Sequence, residues 1–170
     1  MYAKLDLAAR YLAIGLALTG GMALLAIIAL TCVSIIGRVF VPLNIGIGPI
    51  DGIYDMTEIG IAAAVFAFLP WAQYEEAHAR VDLFKWALPL KLDQMLDLLF
   101  NLAMALIATV GTWRMYLGMQ DKMSYGETTL IAQIPVWQGY ALGFVGAVGF
   151  VIVAAFCAVR SLRRVAGSGV

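Results

Sequence analysis

Three acids stand close together at Asp51, Asp55 and Glu58. Their spacing of four and then three residues puts them on one face of a helix. Carboxylates in that arrangement, at the start of an apolar segment, have the chemistry of a cation or proton site in a membrane. A structural reading competes. Asp51 follows Gly48-Pro49-Ile50 and has the character of a helix N-cap. Asp55 lies in the first turn, where the helix dipole favours an acid. Glu58 is harder to explain this way. It lies ~10 Å past Asp51 along the axis, and a carboxylate at that depth is costly unless paired. The sequence offers two partners, Arg38 and Arg114, each at the same expected end of a neighbouring span. The expectation is a structural ion pair at Glu58, with an ion-handling role as the alternative.

Other chemistries find little support. His78 is the sole histidine and falls at the edge of an apolar run, which does not suit axial ligation of a haem. Zinc would need several His or Cys ligands. No Gly-x-Ser-x-Gly elbow and no phosphate-binding Gly loop is present. The expectation is a protein that is not an enzyme and holds no cofactor. Eleven basic and eleven acidic side chains balance, with no basic-aromatic array for nucleic acid.

These residues sit in a chain that is 63% hydrophobic and 13% charged. Soluble domains have roughly 45–50% apolar and ~25% charged residues. Lipid must therefore be the solvent, and the whole of 1–170 reads as a single all-α integral-membrane domain. Residues 11 to 37 carry no charge, more than the ~20 residues that cross a bilayer. A cleaved signal peptide is the competing reading, but its apolar region would span only ~7–15 residues. Four spans are expected, at about 12–36, 53–72, 94–116 and 136–159. Pro70 is expected to kink or help end the second, and Pro135 to open the fourth.

Between the second and third spans, residues 79–93 read as a short amphipathic helix in the interface plane. Val81, Phe84 and Leu88 recur at helical spacing among Arg80, Asp82 and Lys85. Lys and Arg set the orientation. Lys4, Arg10, Arg80, Lys85, Lys91, Arg160, Arg163 and Arg164 fall on one side, and Arg38, Arg114 and Lys122 on the other. Both termini are expected in the cytoplasm. Cys32 and Cys157 fall at opposite ends of their spans, beyond the ~7 Å Cα limit for a disulfide. Both read as small buried apolar residues. Gly139 and Gly143 form a small-xxx-small pair, which lets a helix of this chain or of a partner come close.

Several stretches together resemble the small membrane subunit of a tripartite ATP-independent periplasmic (TRAP) transporter. They are Tyr54-Asp55-Met56-Thr57-Glu58 opening the second span, and His78-Ala79-Arg80-Val81-Asp82 at its exit. A third is the lead from Gly126 to Pro135-Val136-Trp137. Glu76-Ala77 departs from the family, where small Gly-rich residues are usual. The resemblance implies an accessory, scaffold-like subunit in the bacterial inner membrane. Its partners would be the lipid bilayer, a large elevator-type membrane subunit and a periplasmic binding protein. It also implies sodium-coupled import of organic acids, with sodium and substrate held by the large subunit. Two other functions compete: a membrane anchor of a redox enzyme, and an independent small carrier using Glu58.

Overall fold

The computed structural model describes residues 2–41, 48–77 and 90–167. It contains four helices: α1 (Tyr2–Phe40), α2 (Ile53–Tyr74), α3 (Leu90–Tyr125) and α4 (Val136–Gly167). Each is long and apolar enough to cross a membrane. The chain is all-α, as its composition demands: in lipid every backbone N–H and C=O must be satisfied within the segment.

The helices outrun the apolar stretches that define the spans. α1 has 39 residues, or ~58 Å at ~1.5 Å per residue, against a ~30 Å hydrocarbon core. A charged residue has to leave the hydrocarbon, but it has no need to leave the helix. Lys4, Asp6 and Arg10 therefore extend α1 beyond its uncharged run. α3 starts at Leu90 rather than near Gln94, with Asp93 in its first turn, where the dipole favours an acid. Residues 90–93 thus belong to α3, and the rest of the expected interfacial helix, 79–89, lies outside the described residues.

The helices pack in a row, in the order α1, α2, α4, α3. α4 has α2 on one side and α3 on the other, and α1 leans more lightly onto it. Small side chains make this possible. Ala64 and Ala67 of α2 are buried, as are Gly143, Gly146, Ala147, Ala154 and Ala158 of α4. At Gly146 α4 meets the backbone of α2 itself: a Cβ there would lie 2.6 Å from the backbone C and O of Phe66. Gly143 abuts Met115 and Phe66, and Gly139 abuts Ile59. The small-residue face of α4 is thus occupied within this chain. Two buried clusters complete the core. Ala13 of α1 meets Val153 and Cys157 of α4, and Ala108 of α3 meets Phe150 and Ala154.

Helices at the ends of a row keep one broad face uncovered. Leu25 of α1 is 68% exposed and Leu106 of α3 66%. Cys32 is exposed on α1 and only Cys157 is buried; both are free thiols. The expectation that both are buried fails because α1 is a flanking helix. Pro70 is fully buried inside α2, which continues to Tyr74.

Candidate functional site

The two ends of the row differ. At one end lie the start of α2 and the 126–135 segment between α3 and α4. The other end gathers the start of α1, the end of α2 and the end of α4.

At the first end, the residue before α2 is Gly52, in the left-handed region at φ 76°, and no side chain caps the helix. Asp51 is therefore not the N-cap. The chain turns one residue later, where a Cβ on residue 52 would lie 2.4 Å from that of Ala132. Only glycine combines that φ with that clearance. Ser34, buried near the end of α1, accepts a hydrogen bond from Ile50 N at 3.1 Å and ties the approach to α2 in place.

Asp55 does what Asp51 was expected to do, but for another segment. Its Oδ2 accepts from Ile131 N at 3.0 Å and from Ala132 N at 2.8 Å. A carboxylate taking two backbone amides makes charge-assisted bonds, about twice as strong as neutral ones. The segment is also closed on itself. Thr128 and Pro135 form an antiparallel bridge, Thr129 N donates to Ile134 O at 2.9 Å, and Ile134 N donates to Thr129 Oγ1 at 3.0 Å. Lys122 and Glu127 pair across its start. Beneath it lies a cavity of about 690 Å³ between α2, α3 and α4. Asp55, Glu58, Arg114 and Gly139 all line it.

Four of the singled-out residues thus converge. Glu58 and Arg114 face one cavity, yet neither forms an ion pair among the described residues. Both are exposed. Arg38 is exposed in the last turn of α1 and does not line the cavity, and Asp51 is exposed. His78, Arg80 and Asp82 lie outside the described residues.

At the opposite end the residues that matter are ones the sequence reading passed over. Gln73 Nε2 donates to Asn101 Oδ1 at 2.9 Å. Asn101 Nδ2 donates to Ser161 Oγ at 2.9 Å and to Asp97 O at 2.9 Å. All three side chains are buried, so one polar thread joins α2, α3 and α4. Asn101 stands inside the uncharged run of the third span, and that was the available signal. Next to the thread, Arg160 Nη2 donates to Glu76 Oε1 at 2.8 Å and to Tyr74 O at 3.3 Å. Its guanidinium also lies 5.4 Å from the centre of the Tyr74 ring. Tyr74 Oη donates to Asp6 Oδ1 at 3.1 Å, which brings in α1. Glu76, the residue that departs from the small-residue pattern, adopts φ 53°.

The arrangement holds helices and positions a loop. Among the described residues no three His, Cys, Asp or Glu side chains gather as metal ligands. No curated protein and no solved structure matches the chain. A family model described as tripartite ATP-independent periplasmic transporters, DctQ component, matches residues 27–167. That span includes α2, α3 and α4, and all of both polar ends but the start of α1 with Asp6. The chain belongs to the DctQ-component family of tripartite ATP-independent periplasmic transporters.

Proposed function

We infer that this chain is the accessory, non-catalytic subunit of such a transporter and works as a scaffold beside a large membrane subunit. The import it supports is sodium-coupled and carries organic acids delivered by a periplasmic binding protein, with the sodium and substrate sites in the large subunit. In this reading the membrane is a bacterial inner membrane and both termini are cytoplasmic, following the Lys and Arg distribution.

The observation that carries the reading is the row. α1 and α3 leave wide apolar faces uncovered, and a row presents more side surface than a closed bundle. Midplane carrier sites are commonly built from broken helices, whereas these four helices are continuous. The same row supports a second membrane protein along one flank. Packing in lipid depends on close fit and polar contacts, and both polar ends hold the helices in register for such a fit.

The test is reconstitution. Liposomes with this chain, a large membrane subunit of the same kind of transporter and its binding protein should take up substrate when a sodium gradient is applied. Liposomes with this chain alone should not. Uptake by the chain alone, or full uptake without it, would overturn the reading.

A further inference from the structure

The cavity under the 126–135 segment contains an unmatched pair of charges in a definite order. Ile59 faces Gly139, whereas Met115 and Phe66 meet Gly143. Four residues of α4 separate these levels, about 6 Å along a helix. Glu58 adjoins the upper level on α2 and Arg114 the lower on α3, so the backbone that carries the acid stands nearer the loop end than the backbone that carries the base. The rest of the lining changes in the same direction. Thr128 and Thr129 are at the loop end, and Ala62 and Phe66 lie further down α2. Neither charge forms an ion pair among the described residues. A charge at this level of a membrane needs a counter-charge.

We propose that this cavity binds a phospholipid with a primary-amine headgroup. Its ammonium lies against Glu58 and its phosphate against Arg114, and one acyl chain runs down past Phe66. In such a lipid the amine is the outermost group, the phosphate comes next and the chains follow, which is the order in which the helices carry Glu58, Arg114 and Phe66 down from the loop end. A glycerol headgroup supplies no cation for Glu58. A choline headgroup supplies a cation that cannot donate a hydrogen bond to the carboxylate. The cavity therefore discriminates by headgroup as well as by charge.

The experiment uses the full chain in detergent micelles doped with phosphatidylethanolamine, phosphatidylglycerol or phosphatidylcholine of identical acyl chains, read by native mass spectrometry. Phosphatidylethanolamine should be retained over the other two by up to about fivefold, the scale of a part-exposed charge contact. Glu58→Gln should remove the preference while leaving some retention. Arg114→Gln should lower retention of all three lipids. Circular dichroism melting of each variant shows whether it is folded, and Glu58→Asp gives a second folded variant that should keep the preference. Glycerophosphoethanolamine, the soluble headgroup, should not compete at the same concentration. Equal retention of the three lipids, a preference that survives Glu58→Gln in a folded protein, or full competition by the soluble headgroup would each overturn the proposal. So would loss of the lipid on complex formation with the large subunit, since polypeptide would then fill the cavity.

Discussion

Gln73 and Asn101 share a hydrogen bond of 2.9 Å that joins α2 to α3, two helices that α4 separates in the row. Because Asn101 also donates to Ser161 on α4, it is the middle of the thread. Asn101→Leu would remove the acceptor of the Gln73 amide bond and the donor to the Ser161 hydroxyl. Buried polar groups left unmatched cost about 1–3 kcal/mol in water-soluble proteins, and interhelical bonds in membranes average about 0.6 kcal/mol. The expected loss is about 1–2 kcal/mol, measured by chaotrope unfolding in mixed micelles. An unchanged midpoint would mean that the thread does not hold the helices.

Glu76 combines a left-handed backbone with an ion pair to Arg160. Glu76→Ala removes the pair and keeps the unfavourable φ. Glu76→Gly removes the pair but relieves the backbone, worth about 1 kcal/mol. Thermal melting should therefore rank wild type and Gly above Ala. If Ala and Gly melt together, the backbone at residue 76 is not strained.

Gly146 is pressed against the Phe66 backbone, whereas a Cβ on Gly111 would meet nothing within 4 Å. Gly146→Ala forces α2 and α4 apart and should cost about 1–3 kcal/mol, the usual range for overpacking. Gly111→Ala should be neutral or slightly stabilising, since helix propensity favours Ala by about 1 kcal/mol. Both can be read from the same melting experiment. Equal effects at the two sites would contradict the packing described for α4.

Asp55 holds Ile131 N and Ala132 N. Asp55→Ala should free both amides, so hydrogen exchange at residues 131 and 132 should speed up by at least about tenfold, the equivalent of about 1.4 kcal/mol. α4 should keep its protection. Unchanged exchange at those two amides would show that the segment is held by its own turn bonds and not by α2.

Four membrane helices and the all-α class could be read directly from the chain. Apolar runs of span length have only one cheap solution in lipid, and charges such as Arg10, Arg114 and Arg160 mark where each run stops. Pro135 before α4 and the acids at the start of α2 were equally legible, because helix ends depend on local chemistry. The roles inside that frame were not. Asp51 and Asp55 look alike in sequence, yet only Asp55 meets two backbone amides, which come from residues 76 and 77 positions away. Gly139-x-x-x-Gly143 advertised a close approach without saying which helix would use it. The row order sends it to α2 and α3 of the same chain and presses Gly146 against the backbone of α2. Row order also exposes Cys32 while burying Cys157, though both lie in apolar runs. Local sequence sets which segments become helices because backbone satisfaction and burial in lipid are local requirements. Which faces meet is set by contacts between residues distant in the chain, and only the packed structure brings those residues together.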